Sequence, residues 1–139
     1  MTFAPIDTAG LKPATLRDQP QPMLIWAPLA DLVIDRRYQR DITPAGRAAI
    51  QRIANDWDWS KYQPILVAPT DAGKLAVVDG QHRAHAAALV GLTSVPAMTV
   101  AMTPQQQAAG FAAVNRDRVS MSLHQIYRAE LAAGTPWAV

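Results

Sequence analysis

Cysteine is absent from the 139 residues of this sequence, and long apolar runs are absent as well. Without cysteine the chain has no disulfide, no thiolate-held metal, no iron–sulfur cluster and no cysteine nucleophile. No apolar run reaches the roughly 18 residues of a membrane-spanning helix. The first residues also lack the cationic start and apolar stretch of a secretory signal. We therefore expect a cytoplasmic protein with no membrane partner.

Glutamate and lysine are scarce, although the charges nearly balance. Ten of the 11 acidic residues are aspartate, ten of the 13 basic residues are arginine, and the net charge is +2. So small a net charge predicts no electrostatic footprint for duplex DNA. Because arginine suits bidentate contacts to phosphate, the positions of the arginines matter more than their number. Six of them fall in three short polar stretches: Arg36, Arg37 and Arg40, then Arg83, then Arg116 and Arg118.

The length is that of one domain, preceded by an arm. Residues 1–22 hold four of the 11 prolines and show no hydrophobic period, which predicts an extended or flexible segment. Half of all residues are apolar and 17% are charged, as in ordinary globular proteins. We therefore expect a single domain over residues 23–139.

The periodicity predicts short strands alternating with helices. The predicted strands are residues 24–27, 32–34, 64–69, 74–78 and 95–100, and the third and fourth form a hairpin. The predicted helices are residues 44 to about 58–60, 84–90, 105–114 and 123–133, with a polar break at 115–122. Thr43-Pro44 and Thr103-Pro104 are typical helix starts, with threonine as the N-cap and proline in the first turn.

The junction between the fourth strand and the next helix carries the strongest chemical signal. It reads Asp79-Gly80-Gln81-His82-Arg83. Gly80 lets the backbone approach a ligand closely, and the exposed N–H groups and dipole at a helix start favour an anion. With His82 and Arg83 as added donors, the junction predicts an anion pocket whose natural occupant is phosphate. The alternative is a simple turn glycine followed by a solvated helix start.

Two further polar clusters each allow two interpretations. The three arginines of residues 36–40 either clamp phosphates or form a solvated charge run with Asp35 and Asp41. Residues 115–118 (Asn-Arg-Asp-Arg) either contact a ligand or provide helix capping and surface charge.

Candidate acid–base or metal-binding residues are few. His82 and His85 lie three residues apart on one predicted helix face, a spacing compatible with a two-histidine metal site. Apart from Asp79, no nearby aspartate or glutamate would complete such a site. We therefore assign no metal to the pair. As catalytic residues of a nuclease or phosphotransferase, the candidates are Asp79, His82 and His85.

The region 64–100 resembles the ParB/sulfiredoxin-like domain in its Asp-Gly-Gln-His-Arg form. The matching elements are Gln63-Pro64-Ile65 with Val67, the Gly80–Arg83 turn, and Gly91 followed by Val95-Pro96. Upstream, Tyr38-Gln39-Arg40 is similar to the family's arginine-bearing first box, and Val114–Arg118 to its Glu-Asn-x-x-Arg box. The resemblance covers about residues 24–133. It implies an α+β fold, a small mixed β-sheet with flanking helices that ends in a helical pair.

The resemblance also implies a ligand. ParB-type members bind CTP with Mg²⁺ and act on DNA, so it implies a nucleoside triphosphate and a DNA-linked process such as partition or phage or plasmid DNA handling. The phosphate-binding residues would be Gly80, Gln81, His82, Arg83, Arg37, Arg40, Asn115, Arg116 and Arg118. Asn115 would also lie near a bound Mg²⁺.

Departures from the family pattern qualify these expectations. Gln81 and Val114 stand where the family has glutamate, so neither supplies a carboxylate to Mg²⁺ or to ParB-type hydrolysis. Sulfiredoxin activity is excluded because the turn has no cysteine.

No chain remains for a helix-turn-helix domain, so we expect DNA contact through another domain or partner. A homodimer is compatible with the sequence. The alternatives are a ParB-like nuclease or phosphotransferase using the same pocket, and an interaction domain without a ligand.

Overall fold

A five-stranded mixed sheet with three helices forms the body of the protein. The computed structural model describes residues 2–39 and 41–118, the last four by their backbone alone. The strands are β1 Met23–Pro28, β2 Leu32–Val33, β3 Ile65–Pro69, β4 Leu75–Asp79 and β5 Ser94–Thr99. The α-helices are α1 Pro44–Asn55, α2 Gln81–Leu89 and α3 Pro104–Arg118, with short 3₁₀ turns at Leu29–Asp31 and Trp59–Lys61.

The strand order is β1-β5-β3-β4-β2. β1 pairs with β5, and β3 with β4, in antiparallel fashion, whereas β3–β5 and β2–β4 are parallel. This confirms the α+β fold with a small mixed sheet, flanking helices and a β3–β4 hairpin. The second helix of the expected terminal pair, residues 123–133, lies outside the described residues.

Both threonine–proline helix starts are confirmed. The Thr43 hydroxyl accepts a hydrogen bond from the Gly46 backbone N–H at 3.0 Å, and Pro44 occupies the first turn of α1. At α3, the Gln106 N–H donates to the Thr103 hydroxyl at 3.2 Å, and the Thr103 N–H donates to the Gln106 side-chain oxygen at 2.8 Å. This reciprocal pair is a capping box, which satisfies two donors that the helix itself leaves unpaired.

The core lies mainly between α2 and one face of the sheet. Ala87 of α2 packs among Ile65, Val67, Val77 and Val95, all of which are fully buried. On the opposite face α3 covers β4, since a Cβ atom on Gly110 would lie 3.5 Å from Cγ1 of Val78. The central strands are therefore buried on both faces, which explains why β3 and β4 appear in the sequence as continuous apolar runs.

Residues 2–22 are exposed along their whole length and contain no helix or strand. No helix within residues 2–39 and 41–118 is long and apolar enough to cross a membrane.

Three predicted boundaries need correction. The polar break expected from residue 115 is wrong at its start, because α3 continues through Arg118. Residues 115–118 contain no glycine or proline, and arginine favours helix. Conversely, α1 stops at Asn55, since Asp56 leaves the helical region (φ −124°, ψ 45°). α2 begins at Gln81, three residues before the predicted helix, because Gly80 itself ends β4 and sets the helix start.

Candidate functional site

Gly80 connects β4 to α2 in a conformation that favours glycine. Its φ is +112°, in the left-handed region where side chains are disfavoured. A Cβ atom there would also lie 2.3 Å from Cγ2 and 2.8 Å from Cβ of Ile65, the buried first residue of β3. Gly80 is therefore required twice, once by the backbone and once by close packing.

The start of α2 is held without a side-chain cap. Gly80 occupies the N-cap position and has no side chain to accept from the first turn. The backbone N–H groups at a helix start have no acceptor within the helix, and their dipoles favour an anion. Gln81, His82 and Arg83 form this first turn. The unpaired backbone N–H groups and the side-chain donors of these residues therefore lie together at the N-terminal end of α2.

Arg83 ties the turn to two strands. Its Nη2 lies 3.2 Å from Oδ2 of Asp79, at the end of β4, and 3.4 Å from the carbonyl oxygen of Pro64, next to β3. The Arg83 and Asp79 side chains are each 14% exposed. Nε of Arg83 is buried and has no hydrogen-bond partner among the described residues. The guanidinium thus stabilises the turn as well as bringing positive charge to it.

A cavity of about 290 Å³ opens at this turn. It is lined by Asp79, Gly80, Gln81, His82 and Arg83, together with Gln39, Ile53 and Phe111. These last three come from the loop before α1, from α1 and from α3. The fold therefore brings Gln39 of the first box, the Gly80–Arg83 turn and α3 to one place.

A second cavity, of about 360 Å³, lies on the other side of Arg83. Trp57, Tyr62 and Lys61 contribute to its wall, and Ile53 and Arg83 line both cavities. Burial raises the pKa of Tyr62, and the nearby charge of Arg83 offsets part of this rise. The Tyr62 hydroxyl donates to the carbonyl oxygen of Pro96 at 2.9 Å, which fixes this wall to β5.

The uncharged residues of the first box are positioning residues that sequence reasoning missed. Gln39 is 3% exposed, and its side-chain amide donates to the carbonyl oxygen of Val77 in β4. The Tyr38 hydroxyl lies 3.4 Å from Oε1 of Gln107, and its ring centroid is 5.6 Å from that of Phe111. Burial raises the pKa of Tyr38. The available signal was an uncharged Tyr-Gln pair inside a loop otherwise dominated by charge.

The arginines of the same loop take different positions. Arg37 folds back on Asp35, with Nη2 2.6 Å from Oδ2 and Nε 2.9 Å from Oδ1. This hydrogen bonding lowers the pKa of Asp35. Arg36 lies 3.4 Å from Asp41 on the surface. Arg37 lines a separate cleft beside Pro104, so the structure does not bring it to the Gly80–Arg83 turn. Arg40 lies outside the described residues.

The two histidines of α2 diverge. His82 lines the cavity at the turn, and its Nε2 lies 3.0 Å from the place that a Cβ atom on Gly46 would take. The first turn of α1 thus leaves room for the imidazole. Nδ1 of His85 lies 2.6 Å from the carbonyl oxygen of Gln81, and the ring lines another cavity beside Leu29. The catalytic role of Asp79, His82 and His85 stays a prediction.

The segment Val114–Arg118, which is similar to the family's Glu-Asn-x-x-Arg box, begins three residues after Phe111 on α3. Helix geometry places residues four and seven positions after Phe111 on its side of the helix, so the Cα atoms of Asn115 and Arg118 follow the face that reaches the cavity. Arg116 is on a different face by the same geometry.

The donor set does not fit a magnesium site built by the protein alone. Among the described side chains, those of residues 2–39 and 41–114, no group of three or more histidine, cysteine, aspartate or glutamate residues could hold a metal ion. In the cavity, Asp79 is bound by Arg83 and Gln81 carries an amide. Magnesium is typically held by one or two carboxylates plus substrate phosphates.

The sequence of this chain matches one known protein family. Residues 36–115, more than half of the chain, match the model of the ParB N-terminal domain family. The chain therefore belongs to that family, which confirms the resemblance drawn from the three boxes. No curated protein sequence matches the chain.

Solved structures share the fold. The chain is similar to the C-terminally truncated chromosome-partitioning protein ParB from Caulobacter crescentus complexed with CTP-γ-S, with a TM-score of 0.62 and 20% identity. This match covers 84% of this chain and 64% of that one. The same protein complexed to the centromeric parS site gives a TM-score of 0.55 and 21% identity, over 81% and 58% of the two chains. Sulfiredoxin from Arabidopsis thaliana gives 0.49 and 19%, over 63% and 96%. This chain thus spans less than two thirds of the ParB structures it matches.

Proposed function

We propose that this domain binds a nucleoside triphosphate, with its phosphates at the Gly80–Arg83 turn, in a DNA-linked process such as partition. One observation carries the proposal: the uncapped start of α2, shaped by Gly80, opens directly into a cavity shared with the first box and α3. The ParB of Caulobacter crescentus, which has the same fold, was crystallised with CTP-γ-S and supports a nucleotide as the ligand.

Backbone groups and side chains of the turn contribute different contacts to the phosphates. Backbone N–H groups at the start of α2 bind phosphate oxygens without reorganisation, because the Gly80 turn already fixes them. His82 contributes a ring donor from the cavity wall. Arg83 adds positive charge while its bond to Asp79 keeps the turn in place. Asn115 and Arg118, whose Cα atoms lie on the same face of α3 as Phe111, are the candidates on that helix for further phosphate contacts.

We propose binding and no hydrolytic step. The cavity lacks the glutamate that the family pattern places after the glycine, and its aspartate is paired with Arg83. A magnesium ion that enters with the nucleotide would be held chiefly by phosphate oxygens, since Asp79 is the one carboxylate among the described residues that line the cavity. DNA contact belongs to a further domain or a partner, because the net charge of +2 predicts little affinity for duplex DNA.

Thermal unfolding of the purified chain tests the proposal. A ligand that binds the folded state alone must raise the melting temperature. We expect a rise of several degrees with at least one of CTP, UTP, ATP and GTP at millimolar concentration, and a smaller rise with inorganic tripolyphosphate. The matching nucleoside without phosphates serves as the control and should give none. If no nucleotide changes the melting temperature, the proposal fails and the interaction domain without a ligand is the better interpretation.

A further inference from the structure

Gly46 lies in the first turn of α1, where glycine is a poor choice for helix stability. The residue is buried, and its φ is not among the positive values that favour glycine. Alanine is the best helix former, whereas glycine gives up more backbone freedom when a helix forms. The backbone therefore does not require glycine at this position, and the space around the residue offers a reason for it.

A Cβ atom on Gly46 would meet three side chains at short distances. It would lie 3.0 Å from Nε2 of His82, 3.1 Å from Cγ2 of Ile42 and 3.3 Å from Oγ1 of Thr43. Non-bonded heavy atoms pack best at about 3.5 to 4.0 Å, so a neighbour has to move when the Cβ is added. The shortest of the three distances is the one that crosses from α1 to α2.

His82 is the neighbour that can move at the smallest cost. Thr43 is held by its capping bond, accepted from the Gly46 N–H at 3.0 Å, and Ile42 directly before it is partly buried. His82 is exposed and lines the cavity at the turn, so rotation of its side chain displaces no core residue. A Cβ on Gly46 would therefore push the imidazole out of its place and leave α1 where it is.

The same face of α1 carries larger side chains further along the helix. Ile50 and Ile53 follow Gly46 by four and seven positions, which places all three on one side of α1. Ile50 is 7% exposed, and Ile53 contributes to the wall of the cavity. The smallest residue of this face thus lies where the ring of His82 needs room.

We propose that Gly46 is a positioning residue of the phosphate site, which acts by leaving the space that the His82 ring occupies. This role rests on the proposed function, because it requires the ring to donate to a phosphate oxygen. Every residue other than glycine carries a Cβ atom, so any substitution at this position displaces the ring. The loss of affinity that follows from such a substitution must then depend on the imidazole being present.

A double-mutant cycle in nucleotide affinity tests the role. Isothermal titration with the nucleotide that gives the largest thermal shift measures Gly46→Ala, His82→Ala and the double variant. We expect Gly46→Ala to weaken binding about tenfold in the unaltered protein, and by less than about twofold in the His82→Ala background. Equal losses in the two backgrounds would overturn the role, and so would a Gly46→Ala variant that binds as well as the unaltered protein.

Gly110→Ala is the matched control, because it makes the same change in another helix. A Cβ atom there would lie 3.5 Å from Cγ1 of Val78, an ordinary contact distance, and Gly110 does not line the cavity. We expect this variant to keep the nucleotide affinity of the unaltered protein within about twofold. A loss as large as that of Gly46→Ala would contradict a specific role for Gly46.

The imidazole resonances in NMR spectra give a second measurement that needs no nucleotide. The sequence has three histidines, so the ring signals of His82 are assigned by their absence in His82→Ala. We expect Gly46→Ala to shift these signals more than those of His85, whose ring lines a different cavity. Unmoved His82 signals in a protein that binds nucleotide would overturn the role of Gly46 alone. Failure of the unaltered protein to bind any nucleotide would overturn the proposed function, and this role with it.

Discussion

Asp79 and Arg83 form an ion pair, 3.2 Å from Oδ2 to Nη2, that bridges the one left-handed glycine between them. The pair joins the end of β4 to the first turn of α2, and the same guanidinium reaches the carbonyl oxygen of Pro64 beside β3. A residue that the sequence assigns to phosphate binding therefore also holds the turn in shape. Its loss should affect both stability and ligand binding.

Replacing Arg83 with methionine should destabilise the protein by about 1 to 3 kcal/mol, because a mostly buried carboxylate loses its partner. The free energy of unfolding in urea measures this effect. The control is Arg47→Met, on the exposed surface of α1, which should change stability by less than about 0.5 kcal/mol. Equal small effects in both variants would show that the ion pair contributes little to the turn.

Replacing Gly80 with alanine should be more damaging than the same change at Gly91. Both glycines have positive φ, +112° and +86°, so both variants carry the backbone cost of about 1 kcal/mol. At Gly91 nothing lies within 4 Å of the added Cβ, whereas at Gly80 the Cβ would overlap Ile65. We expect a further loss of about 1 to 3 kcal/mol for Gly80→Ala from this overlap. Urea unfolding of the two variants side by side isolates the packing contribution, and equal losses would contradict it.

Replacing His82 with alanine should weaken nucleotide binding by about tenfold or more, the effect of one hydrogen bond to a charged phosphate. His85→Ala is a matched control on the same helix, because that ring lines a different cavity. Isothermal titration with the nucleotide that gives the largest thermal shift measures both affinities. If the two variants bind equally well, His82 is not part of the phosphate site.

The Asp35–Arg37 pair should make stability depend on pH in the acid range. Hydrogen bonding to Arg37 lowers the pKa of Asp35 in the folded protein below its value in the unfolded chain, about 3.9. The contribution of the pair is therefore fully present above the unfolded pKa and is lost as pH falls through the folded pKa. The difference in unfolding free energy between the unaltered protein and Arg37→Ala should be constant near neutral pH and shrink below about pH 4. A difference that does not vary with pH would exclude this linkage.

Much of the fold could be predicted because local signals agreed with the tertiary structure. Thr43 and Thr103 marked helix starts whose capping bonds depend only on neighbouring residues. The β3–β4 hairpin followed from two apolar runs around a short turn containing Gly73. The end of α3 was misjudged because asparagine, arginine and aspartate suggest a loop by composition, although none of them breaks a helix in the way that glycine or proline does.

The candidate site was only partly predictable. Gly80 and Arg83 were identified from their order in the turn, and both line the cavity. Arg37 was grouped with them because the sequence shows the charge of a side chain but not the direction in which it extends. In the structure Arg37 forms an ion pair with the neighbouring Asp35 instead. Gln39 had only a weak signal in the sequence, as part of an uncharged pair in a charged loop, and Phe111 had none, because their roles depend on what they contact.

The sequence by itself determined the family, the α+β class and the position of the glycine turn. Each of these depends on residues close together in the chain or on the spacing of boxes along it. Tertiary structure decided which side chains share a cavity, and it separated His82 from His85 although they lie three residues apart. Among the described residues, it also places β1, which carries no charge, at one edge of the sheet, and the short, acid-flanked β2 at the other. Strand order places a strand at the edge or at the centre, and neither periodicity nor composition encodes that order.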